Sequence, residues 1–108
     1  MIRLTIFLRR CSGMSHEEFV WYHVNKHAPL FRSLPEVKIY VRRYLQYHLP
    51  EEISKKTALS EYDGITEIWF DDLESVYKLF AADAYKRIIL TDQEKFMDLC
   101  ESVVEISK

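Results

Sequence analysis

The run from Gly13 to Leu34, GMSHEEFVWYHVNKHAPLFRSL, carries the apolar period of one amphipathic helix and lies between two segments patterned as strands. Ser15 is placed to accept from the backbone at the helix start while Glu18 reaches back, a capping box, and Met14 before the cap can staple onto Phe19. On a helical wheel Phe19, Val20, His23, Val24, His27, Leu30 and Phe31 share one stripe, with His27 in the middle of it. A buried imidazole without a partner costs on the order of 1–3 kcal/mol, so His27 must find a hydrogen bond. Pro29 removes one helical donor and crowds the carbonyl of Asn25, which predicts a kink or an end near His27. Two readings stand side by side: a proton-transferring or ligand-gripping histidine in a helix–sheet cleft, or a core histidine bonded to a carbonyl that the proline frees.

Around this helix the chain alternates in type. Ile2 to Arg9 has the period of two of a strand with one apolar face. Val37 to His48, rich in β-branched and aromatic residues, reads as a long second strand, and Pro50 to Asp63 as a loop. Ile65 to Phe70 is a third strand. Asp71 with Glu74, and Thr91 with Glu94, are helix-start pairs, which divides the second helical half near Ala81 to Asp83 and near Thr91. Ser102 to Ile106 closes as a fourth strand. The order βαββαβ is the ferredoxin-like α+β unit, a four-stranded antiparallel sheet with helices on one face. Its usual 4-1-3-2 strand order sets Cys11 and Cys100 near the same end of one strand pair. A sheet covered on one side must hide the other, commonly against a second copy.

Residues 1–108 suffice for one domain with a real core, and the surplus of aromatic residues, 14% of the chain, hints at a dimer or an aromatic pocket. A net charge of −2 with both signs interspersed gives no footprint for nucleic acid or an anionic membrane. No apolar run approaches the ~20 residues needed to span a bilayer, and the N-terminus makes a poor signal peptide, so a cytoplasmic protein is expected. Two cysteines fit neither a disulfide framework nor a metal knuckle and are expected as free thiols. With only two glycines, Gly13 and Gly64, there is no dinucleotide or phosphate loop, so no nucleotide cofactor is expected.

GMSHEEF, the pair Trp21 and Tyr22, HAPL at His27 to Leu30, LPEVKIYV and YDGITEIWFDDLES together resemble the EthD domain, a branch of the dimeric α+β barrel proteins. The resemblance implies a ferredoxin-like subunit, a homodimer closing two sheets into a barrel, and a small-molecule cleft between helices and sheet. It matches His27 to the family's HAPL histidine, and Asp63, Gly64, Glu67, Trp69 and Phe70 to its third-strand motif. EthD proteins take their name from an association with ethyl tert-butyl ether degradation by a P450 system. Related small barrels catalyse cofactor-free isomerisation, dehydration, cyclisation or oxygenation.

These residues suggest His27 as acid and base, with Glu67 as the carboxylate that sets its tautomer, unless Glu67 instead pairs with an arginine such as Arg3, Arg9 or Arg42. His23, Tyr22, Tyr44, Trp69 and Phe70 are candidate substrate contacts, and Trp69 and Phe70 must point to opposite sides of the sheet. His23 and His27 have a spacing that permits shared metal coordination, but no third ligand is anchored beside them, so no metal is expected. The expected ligand is a small, mostly apolar organic molecule. The protein either transforms it by proton transfer or oxygenation, or binds it as a non-catalytic accessory to a separate oxidoreductase. A second titratable group within about 3 Å of His27 would distinguish the two.

Overall fold

The computed structural model describes residues 1–50, 52 and 61–108. Strand β1 (Ile2–Leu8) buries Leu4, Ile6 and Leu8 and turns Arg3, Thr5 and Phe7 to the other side, as its period requires. Ser15 caps helix α1 (His16–Tyr22) with both halves of the capping box formed, and Met14 packs against the core cluster that contains Phe19. The strain that Pro29 brings is met by widening the helix. Residues His23–His27 form a π-helical turn in which Ala28 N–H donates to His23 O, after which α2 (Ala28–Ser33) resumes with proline in its first turn. The extra residue changes the phase of the stripe: Val24, expected inside, is 45% exposed, while His23 and His27 are both buried.

Strand β2 is shorter than its pattern predicts. Pro35 starts a separate helix, α3 (Pro35–Tyr40), because its ring fits a first helical turn, and the strand runs only over Val41–His48. A bulge between Val41 and Arg43 sets Arg42 aside, where it donates to Asp71 and to the carbonyl of Ile39. Residues 51 and 53–60 of the expected loop lie outside the described residues. Strand β3 (Gly64–Phe70) leads to α4 (Leu73–Ala81), capped by Asp72. A break at Ala82 is followed by a second π-helical turn (Tyr85–Ile89), by α5 (Leu90–Gln93), and by β4 (Val103–Ser107). Thr91 therefore lies inside α5 and does not cap it.

The four strands form an antiparallel sheet in the order β2-β3-β1-β4, with the helices on one face. The sheet is open, and the expected barrel is corrected: β2 and β4 are its edges. At about 4.8 Å per strand those edges stand too far apart to pair, because β3 and β1 lie between them. Arg9 accepts from Asp98 N–H and Cys11 N–H donates to Phe96 O, so the chain leaving β1 runs beside the segment that leads into β4. Cys11 and Cys100 are free thiols at that end. Among the described residues no helix is long and apolar enough to cross a membrane.

Candidate functional site

Strands β1 and β3 turn Leu4, Ile6, Leu8, Thr66, Ile68 and Phe70 toward the helices, and the first π-helical turn lowers His23 and His27 onto this surface. Phe96, fully buried, wedges among them with its ring centroid 4.8 Å from that of His27, 5.5 Å from His23 and 5.2 Å from Tyr22. The partner that His27 requires is Asp92 of α5. Their Nδ1 and Oδ2 atoms are 2.8 Å apart, and the other carboxylate oxygen accepts from the Tyr22 hydroxyl at 2.5 Å. His27 is 5% exposed and Asp92 6%.

An aspartate that accepts from Nδ1–H holds the imidazole in one tautomer, with the lone pair on Nε2. Nε2 has no hydrogen-bond partner among the described residues. Burial lowers the pKa of His27 from its ordinary value, an effect the Asp92 bond and charge oppose. The Tyr22 hydroxyl is pushed up to about 12, by burial first and then by its bond to Asp92.

His27 lines a cavity of about 20 Å³, room for one water. Its polar walls are His23, Thr66, Tyr44, Tyr85 and Gln93, and its apolar walls include Ile6, Phe31, Ile68 and Met97. Burial pushes the hydroxyls of Tyr44 and Tyr85 up to about 12, so both stay protonated donors. Gln46 donates to the Tyr44 oxygen at 2.8 Å, which leaves that hydroxyl's own proton for another acceptor. Ile6, Tyr85, Gln93 and Met97 also line a wider groove of about 330 Å³ that reaches Leu99, Ser102 and Val104. This groove is of ligand size, and a thin wall of four side chains divides it from the cavity.

His23 sits deeper still, 1% exposed. Its Nδ1 is 2.8 Å from Nε2 of His48, and its Nε2 is 3.3 Å from the Thr66 hydroxyl. Both nitrogens are thereby engaged, and among the described residues no group of three or more His, Cys, Asp or Glu could hold a metal ion. Burial first, then the neighbouring His48 and His27, push its pKa down to about 2.

Glu67 is not the partner of His27. It belongs to the opposite face of the sheet, because Thr66 and Ile68 on either side of it point to the helices. There it meets Arg3 at 3.4 Å and hydrogen-bonds Tyr47. Trp69 shares that outer face, with the Arg43 guanidinium 5.1 Å from its ring, while Phe70 is fully buried on the helix side. Of the residues singled out from the sequence, His27, His23 and Tyr44 meet at the cavity, and Tyr22 joins through Asp92. Sequence reasoning missed Asp92, Thr66, Tyr85 and Gln93. Thr66 was readable by strand period from Ile68 and Phe70. Asp92, an acid between Ile88–Leu90 and Phe96–Met97, was masked by reading Thr91 with Glu94 as a cap.

Asp63 of the YDG motif is a structural hub. It accepts from the backbone and side chain of Arg10, at 2.8 and 2.7 Å, and pairs with His16 at 2.8 Å. These partners outweigh the cost of burial and hold its pKa below the usual carboxylate value. Gly64 follows because a Cβ there would lie 3.0 Å from Tyr47 O and 3.2 Å from the His48 ring.

The fold and site together define a ferredoxin-like α+β protein in which a buried histidine–aspartate pair, joined by a half-buried tyrosine, lies beside a small cavity. Residues 12–99 match the model of the EthD domain, and the chain belongs to that family. It is 30% identical over 112 residues to the decarboxylase claH of Passalora fulva, covering 95% of this chain and 72% of that protein. It is also 30% identical over 112 residues to a decarboxylase of Claviceps purpurea, covering 95% and 79%. Its fold matches the crystal structure of an ethyl tert-butyl ether degradation (EthD) family protein from Bacillus halodurans, with a TM-score of 0.73, 21% identity, and coverage of 100% and 97%.

Proposed function

We propose that this protein is a cofactor-independent decarboxylase of small aromatic carboxylic acids made electron-rich by a ring hydroxyl, with His27 as the proton-transferring residue. The observation that carries the reading is the 2.8 Å contact between His27 Nδ1 and Asp92, which leaves Nε2 as the ring nitrogen for the cavity. A simple binding protein needs no such titratable pair. The decarboxylase names of the two curated relatives favour carbon protonation among the reactions open to a histidine–aspartate dyad.

The substrate enters from the groove beside Tyr85, Gln93 and Met97, whose side chains must shift because the cavity holds only about 20 Å³. Methionine is the most adaptable of these. Protonated His27 delivers its Nε2 proton to the ring carbon that bears the carboxylate. The carbon–carboxylate bond then breaks, its electron pair stays with the ring, carbon dioxide leaves, and His27 returns neutral. A lowered pKa makes the His27 imidazolium a readier proton donor to carbon than an ordinary histidine. Among the described residues no lysine or arginine lines the cavity, so a substrate carboxylate loses hydration there with only the His27 imidazolium as countercharge, which favours its departure as a neutral gas.

The test is carbon dioxide release from 2,6-dihydroxybenzoate and its ring-substituted analogues in deuterium oxide. Deuterium at the former carboxyl position, lost with His27→Gln, is the expected result. A binding protein would release no carbon dioxide from any of them, and turnover unchanged by His27→Gln would remove His27 from the chemistry.

The outer face of the sheet carries half-buried Phe7, Leu45, Ile65 and Trp69, and this supports a homodimer that covers it. Sedimentation of Phe7→Glu as a monomer, against a wild-type dimer, is the expected outcome. A monomeric wild type would overturn it.

A further inference from the structure

All four histidines of the chain, His16, His23, His27 and His48, are drawn into one neighbourhood. His16 and His48 line an open surface groove of about 510 Å³ with Trp21 and Val24. From His48 Nε2 the contact to His23 Nδ1 is 2.8 Å, and from His23 Nε2 to the Thr66 hydroxyl is 3.3 Å. Thr66 and His27 then face each other's cavity, the one with room for a single water. The file therefore leads from the surface groove to a cavity that His27 also lines, where a single water has room to complete it.

From this geometry we infer that His48, His23 and Thr66 form a proton relay that carries protons from the surface groove to His27. The inference rests on the decarboxylase reading in one respect only: replacing a carboxylate by hydrogen consumes one proton per turnover, and a buried imidazole must be resupplied. The transfer is concerted. His48 gains a proton at Nδ1 from solvent and passes its Nε2 proton to His23 Nδ1. His23 releases its Nε2 proton to Thr66, which passes its hydroxyl proton through a water in the cavity to His27 Nε2. Each member gains one proton and loses one, so no charge has to rest on His23.

The groups facing the file suit that passage. His23 meets His27 and His48, both of which disfavour a second charge, with fully buried Phe19 and Phe96 beside it. His48 meets Phe19 edge-on and feels His16, whose Nδ1 is engaged by Asp63. Gly64, whose absent side chain leaves room for the His48 ring, keeps the entrance in line.

The relay is tested without any substrate. In protein labelled with 15N-histidine, the exchange of the His23 imidazole N–H proton with solvent is followed by NMR in the wild type, His48→Phe and Thr66→Val. A relay predicts that both substitutions slow exchange, by on the order of 10²-fold, because each cuts the file. A purely structural pair predicts unchanged or faster exchange, since lost packing admits water, and either result overturns the proposal. Thr66→Val preserves shape and carries the test alone if His48→Phe does not fold. Because no turnover is involved, absent carbon dioxide release would sink the decarboxylase reading and leave this result standing, and the converse holds as well.

Discussion

Asp92 Oδ2 meets His27 Nδ1 at 2.8 Å across 65 positions of sequence, and its other oxygen holds the Tyr22 hydroxyl. One carboxylate from a four-residue helix thus joins the α1 segment to the second helical half and decides which nitrogen of His27 is free.

Replacing Asp92 by Asn keeps the shape and removes the charge. The amide can donate to Nδ1, which reverses the tautomer and puts a proton on Nε2 in the resting state. Turnover of a hydroxybenzoate substrate is expected to fall on the order of 10³-fold with a small change in KM, and steady-state kinetics check this. A fall in affinity alone would assign Asp92 to binding.

Acid should destabilise the protein earlier than carboxylate titration would. His23 has its folded pKa pushed down to about 2, and those of His27 and His48 are also lowered. Below the unfolded value of about 6.5 the unfolded chain binds more protons than the folded one, so stability is complete above that pH and falls as pH drops. For His23 this contributes a slope of at most about 1.4 kcal/mol per pH unit in that range, and His27 and His48 add to the loss in the same direction. Urea unfolding between pH 7.5 and 4.5 should show the loss, and His23→Phe should flatten it. The lowered Asp63 adds its own loss only as pH falls below about 4, in the same direction.

Gly64→Ala should destabilise by about 1–3 kcal/mol through overpacking, read as a lower denaturant midpoint. The added Cβ meets Tyr47 O at 3.0 Å, a backbone atom held in the β2–β3 ladder that cannot turn away. The His48 ring, at 3.2 Å, must move as well, so His48 resonances should shift in the same variant.

Phe96→Ala should cost roughly 3–5 kcal/mol of unfolding free energy, because a fully buried ring touching Phe19, Tyr22, His23 and His27 leaves a hole that they cannot all fill. Calorimetry reads the loss. Phe96→Leu should cost less, since it retains most of the volume.

Local sequence decided the elements wherever short-range chemistry acts alone. The Ser15 and Glu18 box, the period of Ile2 to Leu8 and the strand from Ile65 to Phe70 are set by hydrogen bonds and alternation within a few residues, and they stand as read. The same local logic placed His27 inside and demanded a partner for it. Where two local signals competed, the pattern misled: β-branched Val37 to Tyr40 read as strand, but Pro35 at a helix start prevailed. The π-helical turn moved Val24 out to solvent by one inserted residue, a phase change that no wheel at constant angle contains.

Tertiary structure decided everything that depends on which distant surfaces meet. It gave His27 to Asp92 rather than to Glu67, whose strand alternation fixes it on the far side of the sheet with Arg3. It also joined His23 to His48, 25 residues away, and opened the groove beside Tyr85 and Gln93. A buried charge or imidazole states in sequence that it needs a partner, because desolvation is a property of the single residue. The identity of that partner is a property of packing, set only when sheet and helices close on one another.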